Sequence, residues 1–456
     1  MKTLEYTSAL GLLCMVAEMF NLRKLVWPLC IVGLIAIFGL NITSWGVNAG
    51  FYNNMVVIDN FSVAFSGLLI LLALFIVILA GNFYKNEETK ISDYLAIIIF
   101  TLCGALALVS FGNMAMFFLG VEVLSISLYI LAGSRKKDVR SNEAGMKYFL
   151  MGSFASGLLL FGIALVYGET GTFDLAQIAM YKASAPPTVL FNAGAALIMI
   201  ALFFKVSAAP FHFWAPDVYD GSPTLITLIM ASIAKIAAFA AFYRLFSGAL
   251  GSSMPLFAWI FWGVTVLTIT IGNFTALNQD SFKRMLAFSG ISHAGYLMMG
   301  LLSISAKTDN AIFYYATAYG LASVAAFAVA IVVAANYGSD KIDAFNGLAK
   351  KKPFLAGALT IVMLSMAGIP PFAGFFAKYY IFTEAIKTGH VAVTVWAVVN
   401  SIVAVYYYFK VIFAMYTKDS EEVVFNIKPA YSFVIIACVA LLILIGLLPS
   451  VLANLL

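Results

Sequence analysis

Fourteen apolar runs divide the chain, at 6–21, 26–44, 59–83, 92–110, 112–132, 145–168, 188–209, 222–247, 255–277, 285–304, 310–336, 354–386, 391–416 and 430–453. A helix that crosses the hydrocarbon of a bilayer needs about 20 apolar residues. Such a helix satisfies its own backbone donors and acceptors, which a lipid-exposed loop cannot do. The pattern predicts an all-α polytopic membrane protein of about 14 transmembrane helices. The sequence is 63% hydrophobic and 10% charged, which excludes an ordinary soluble fold. Glu5 and Glu18 flank the first run, and no small-residue cleavage site follows it, so it is expected to stay as a helix rather than be removed as a signal.

Lysine and arginine are spread unevenly over the loops. One set of loops holds Arg23, Lys24, Lys85, Lys90, Arg135, Lys136, Lys137, Arg140 and Lys147, then Lys283, Arg284, Lys341, Lys350, Lys351, Lys352, Lys418 and Lys428. The alternate set holds only Lys2, Lys182, Arg244, Lys307 and Lys387. This bias places the first set on the inner side of the membrane and both termini on the outer side. It also accounts for the net charge of +5 without any nucleic-acid partner. The loops 168–187 and 417–429 are read as solvated connections. Cys14, Cys30, Cys103 and Cys438 lie far apart in apolar runs with no metal-ligand spacing, and are expected to serve packing. The chain carries no phosphate loop or dinucleotide fingerprint, so no cofactor and no metal site is expected in it.

Two runs read as broken helices. Run 7 contains FFKVSAAPFHFWAPDVYDGSP with Pro210 and Pro216, and run 12 contains SMAGIPPFAGFFAKYY with Pro370 and Pro371. Proline removes a backbone donor and clashes with the preceding turn. Unwound backbone at membrane depth is tolerated only against protein or water. The breaks are five runs apart, an odd number of crossings, so a five-helix repeat must be inverted in its second copy. The expected layout within a single membrane domain is three leading helices over 1–90 and inverted repeats over 91–250 and 251–417. A last helix follows over 418–456.

Four ionisable residues stand in the middle of apolar runs: Glu122, Lys205, Lys235 and Lys378. A charge at the centre of a membrane helix costs about 2.5–3.5 kcal/mol on insertion scales, and such residues mark ion routes or buried pairs. Glu122 and Lys205 are expected to pair if runs 5 and 7 touch. A buried lysine exchanges its proton more readily than a solvated one. His212 in run 7 and His293 in run 10 are candidate relays, since imidazole titrates near neutrality, although a lone helical histidine is often only a hydrogen-bonded core residue. Ser289, Ser292 and Tyr296 beside His293 could hold water. The remaining charges take structural readings. Glu143 and Lys147 form an i, i+4 pair, Asp217 and Asp220 cap run 8, Lys410 snorkels, and His390 lies in an outer loop.

The runs FFKVSAAPFHFWAPDVYDGSPT, KRMLAFSGISHAGYLMMG and SMAGIPPFAGFFAKYYIF resemble the antiporter-like membrane subunits of respiratory complex I. That resemblance implies fourteen helices, inverted repeats and breaks in helices 7 and 12. It implies that Glu122 and Lys205 form a switch pair, Lys235 a connecting lysine and Lys378 the second half-channel lysine of a proton translocase. Flavin, iron–sulfur clusters and quinone are then expected in partner subunits. Those partners include a second antiporter-like subunit and small helical subunits. Quinone reduction elsewhere would act by electrostatics, separation of the Glu122–Lys205 pair changing the proton affinity of Lys235. A subunit of a multi-subunit cation/proton antiporter or of a membrane-bound hydrogenase is the alternative within the same fold. A stand-alone solute transporter is the alternative outside it.

Overall fold

Each of the fourteen runs forms helix in the computed structural model, which describes residues 2–20, 22–84, 91–184, 186–418 and 425–456. The first two, α1 (Lys2–Met19) and α2 (Arg23–Ile42), lead to a short antiparallel hairpin, β1 (Ala49–Phe51) and β2 (Val56–Ile58). Next come α3 (Asn60–Phe83), α4 (Ile91–Ser110), α5 (Met114–Ala132) and α6 (Val139–Thr170), then α7 (Leu175–Ser184) in the loop that follows. Run 7 splits into α8 (Val189–Lys205) and α9 (Trp214–Gly221). Run 8 is α10 (Thr224–Ile229), a π-turn over Met230–Ala234, and α11 (Lys235–Ser247). The second half continues with α12 (Met254–Leu277), α13 (Phe282–Leu302), α14 (Thr308–Tyr337) and the single turn α15 (Leu348–Lys351). Run 12 splits into α16 (Pro353–Ala367) and α17 (Ala373–Lys387). The chain closes with α18 (Val391–Thr417), α19 (Pro429–Leu447) and the short α20 (Ser450–Ala453). Eleven of the described helices, with α10 and α11 taken as one, are long and apolar enough to cross a membrane. The protein is a multi-pass, helical membrane protein.

Burial separates an axis from a rim. Nearly all of α10–α11, α13 and α14 is buried, whereas α2, α6, α12 and α18 turn most of their surface outward. The axis helices carry buried polar side chains, among them Ser232, Lys235, Ser289, His293 and Tyr315. Lipid-facing helices can be apolar all round, but polar groups at this depth must find partners inside the bundle.

Polar contacts between loops fall into two separate sets. One joins Asn54 to Asp174, Arg244 to Asp59, Ser253 to Asn192, Ser305 to Glu384, and the Leu456 amide to Asn310. The other joins Lys147 to Asp217, Lys283 to the Asp220 carbonyl, Lys410 to the Gln279 carbonyl, and Lys418 to Asp343. These are the two sides that the alternation of runs separates. Lys85, Lys90 and residues 419–424 of the loop 417–429 lie outside the described residues.

Several local expectations change. The β-hairpin is a small exception to the all-α reading, and it is tied down by the Gly112 amide, which donates to the Met55 carbonyl. The loop 168–187 is no plain solvated connection, since it folds α7 and buries Lys182 against Glu169 at 2.8 Å, over the Phe191 ring. Neither Asp217 nor Asp220 caps run 8, because Pro223 occupies that N-cap. Asp217 instead accepts from Lys147 and Arg284. Cys14 and Cys30, far apart in sequence, meet between α1 and α2 with sulfurs 3.2 Å apart. Glu143 and Lys147 do form their i, i+4 pair at 2.7 Å. Asp59 caps α3 in a reciprocal box with Ser62.

Candidate functional site

The break in run 7 leaves helix-end groups that the fold satisfies one by one. The α8 carbonyl of Phe204 accepts from the Trp214 indole at 2.9 Å, across the break. The Ala209 amide donates to Thr268 on α12 at 2.9 Å. Ser207 adopts φ +60°, and the Ala209–Pro210 peptide is cis. Lys205, the last residue of α8, turns away from these groups. Its Nζ donates to Ser125 Oγ at 2.7 Å and to Tyr129 Oη at 3.4 Å. Ser125 spends its own proton on the Val121 carbonyl, so it is a pure acceptor for the lysine.

Glu122, Ser125 and Tyr129 lie at i, i+3 and i+7 on one stripe of α5. The expected direct pairing of Glu122 with Lys205 is not what the structure contains. Ser125, one turn on, takes the lysine, and among the described residues Lys205 has no ion-pair partner. Glu122 is half-buried beside the exposed Leu119 and Val123, and its Oε1 is a buried acceptor with no hydrogen bond.

A narrow cavity of about 20 Å³ joins Lys205, Ser125 and Tyr148 to Ala234, Ala238 and Ala241 on the adjoining helix. A space of this size admits about one water. Ala234 closes the π-turn immediately before Lys235. A π-turn carries an additional residue, so it rotates the face of the helix that follows. Lys235 is buried, and its Nζ donates to the Gly290 carbonyl on α13 at 2.8 Å. A Cβ on Gly290 would stand 3.0 Å from Tyr319 Oη and 3.1 Å from Lys235 Nζ, so both side-chain ends pack closely over this glycine.

One turn further along α13, His293 engages hydroxyls on two other helices. Its Nδ1 is 2.7 Å from Tyr315 Oη on α14, and its Nε2 is 3.1 Å from Tyr408 Oη on α18. Tyr408 Oη also lies 2.5 Å from Ser289 Oγ. Tyr296, the next turn, hydrogen-bonds Asn273 and Ser401, and its ring lies 5.0 Å from Lys378 Nζ. Lys378 is buried and donates back across the run 12 break to the Ala367 carbonyl at 2.8 Å. The Gly374 amide closes the same break on Ser365 Oγ at 3.1 Å, and Pro370–Pro371 is cis.

The structure therefore brings Lys235, His293 and Lys378 together along α13 and leaves Lys205 one cavity away. His212 does not join them. It is buried against Phe213, with Nδ1 unpartnered. Pro210, Pro370 and Pro371 sit at the breaks as expected, with exposed rings. Sequence reasoning missed Ser125, Tyr129, Gly290, Tyr315 and Tyr408. The helical spacing from Glu122 could have found the first two. Nothing in the local sequence marks the tyrosines.

A bundle with two broken helices and buried lysines strung along a polar axis defines an antiporter-like membrane subunit. Residues 112–404 match the family described as NADH:quinone oxidoreductase/Mrp antiporter, TM. NADH-quinone oxidoreductase subunit N of Flavobacterium psychrophilum is 49% identical over 100% of both chains. The subunit N of Cytophaga hutchinsonii is 47% identical over 100% of this chain and 99% of its own. A chain of respiratory complex I from Thermus thermophilus superposes with a TM-score of 0.85 at 32% identity, covering 99% of this chain and 98% of that one. The Mrp complex of Dietzia sp. shares the fold at a TM-score of 0.87 and 21% identity, over 99% of this chain and 95% of that one. The chain belongs to the NADH:quinone oxidoreductase/Mrp antiporter family, in the branch of the subunit N proteins.

Proposed function

We propose that this chain is a proton-translocating membrane-arm subunit of an NADH:quinone oxidoreductase. In this reading it is part of a redox enzyme and moves protons, while flavin, iron–sulfur clusters and quinone belong to partner subunits. Other membrane-arm subunits, among them a second antiporter-like subunit and small helical ones, are its neighbours in the bilayer. The membrane is the bacterial plasma membrane, with both termini outside and the lysine-rich loops inside. Residues 91–250 and 251–417 are the two inverted repeats, each with one break.

Glu122 and Lys205 sense charge at one end, Lys235 connects the halves, and Lys378 serves the second half. The observation that supports this most is the convergence on α13. Lys235 donates to Gly290, His293 stands one turn on, and the Tyr296 ring meets Lys378. Groups this deep do not exchange with bulk solvent from the surface, so they exchange with one another through short hydrogen-bonded or hydrated steps. Helix polarity at the breaks helps to order water there. His212 is an accessory relay on the inner side of run 7.

The test is Lys235→Ala in the intact complex. We expect assembly to persist and proton pumping during quinone reduction to fall to background. Unchanged pumping by a fully assembled complex would sink the assignment.

A further inference from the structure

His293 is held at both ring nitrogens by tyrosine hydroxyls from different helices, and this geometry constrains where protons sit. Ser289, His293, Tyr315 and Tyr408 are all buried. A neutral imidazole has one N–H and one lone pair. One tyrosine must therefore donate to it and the other accept from it. If Nδ1 carries the proton, it donates to Tyr315, Tyr408 donates to Nε2, and Ser289 donates to Tyr408. If Nε2 carries it, every bond reverses: Tyr315 donates to Nδ1, Nε2 donates to Tyr408, and Tyr408 donates to Ser289. Both arrangements satisfy the two imidazole nitrogens and the Tyr408 hydroxyl with the same heavy-atom positions.

We propose that Ser289, Tyr408, His293 and Tyr315 form a two-way proton wire between the Lys235 half and the Lys378 half. The proposal rests on the proton-translocating reading above. Its balance is simple. A proton bonds to Ser289 Oγ, and the serine proton passes to Tyr408 Oη. The Tyr408 proton passes to Nε2, the Nδ1 proton passes to Tyr315 Oη, and the original Tyr315 proton leaves. One proton has entered and one has left, and the chain now stands in the reversed arrangement with no net charge. Rotation of the hydroxyls and a tautomer change restore the first arrangement. We assign entry to the Lys235 side, where Gly290, next to Ser289 on α13, accepts from that amine. Exit lies on the Lys378 side. There a cavity of about 10 Å³, at the lower limit for one water, is lined by His293, Tyr315, Ser365 and Ala377, the residue before Lys378.

Two adjacent tyrosines on α14 supply the test. Tyr315 bonds His293, whereas Tyr314, equally buried, donates to the Ile445 carbonyl on α19 at 3.0 Å. Tyr315→Phe and Tyr314→Phe each remove one buried hydroxyl, and only the first cuts the wire. The initial rate of NADH-driven proton pumping is measured in membrane vesicles and normalised to assembled complex, with Lys235→Ala in parallel. We expect Tyr315→Phe to slow pumping at least tenfold and Tyr314→Phe to stay within twofold of the unaltered protein. If Tyr315→Phe fails to assemble, Tyr408→Phe and Ser289→Ala take its place with the same threshold. Loss in Lys235→Ala with near-normal pumping in the wire variants overturns the wire and leaves the wider reading standing. Equal loss in Tyr314→Phe and Tyr315→Phe also overturns it. Normal pumping in Lys235→Ala overturns the wider reading itself.

Discussion

The two broken helices carry the same ingredients and use them differently. In run 7 the break is closed by neutral groups, with the Trp214 indole on the Phe204 carbonyl and Thr268 on the Ala209 amide. Lys205 takes no part in that closure and reaches across to α5. In run 12 the lysine is part of the closure, because Lys378 donates to the Ala367 carbonyl that ends the first half-helix while the Gly374 amide donates to Ser365. An amine that is not needed to hold its own break can change partner or charge at little structural cost. One that seals a break cannot move without exposing a carbonyl. The first half is therefore built to respond, and the second to hold a fixed geometry around its lysine.

The sharpest way to break this comparison is at Gly374. A Cβ there would land on the Ser365 carbonyl, which is backbone and cannot rotate away. Gly374→Ala is expected to cost about 3 kcal/mol or more, and to show as loss of assembled complex on native gels. No glycine lies in the run 7 break between Phe203 and Phe213, so that half offers no equivalent lesion. A smaller effect separates the lysines. Lys378→Met orphans the Ala367 carbonyl and should destabilise by about 1–3 kcal/mol. Lys205→Met leaves Ser125 still donating to Val121 and should be nearly neutral in stability. The survival of intact complex after stepwise heating reads both. Equal losses for the two variants would erase the distinction between the halves.

Much of the architecture was legible in the sequence, because bilayer thickness dictates run length and proline cannot continue a helix. The lysines were legible for the same reason, since a charge in an apolar run is costly unless it is used. What joins them was not. The π-turn before Lys235 has no local sequence signature, and Tyr408 meets Ser289 across a separation of 119 residues. A direct bond between Glu122 and Lys205 is absent from the structure. Charge complementarity suggested it, but a hydroxyl one turn away sits closer to the amine. His212 was legible as a titratable group near Pro210, but that place says nothing about which way the ring faces.

The central claim is that one hydrated line joins Lys205, Lys235, His293 and Lys378. A density map of the intact complex that resolves ordered water tests it directly. We expect water in the cavity between Lys205 and Ala234 and in the one between His293 and Ala377. Those sites would place water beside Lys205 and between His293 and the helix that carries Lys378. Dry, closed packing at both positions during turnover would contradict the account.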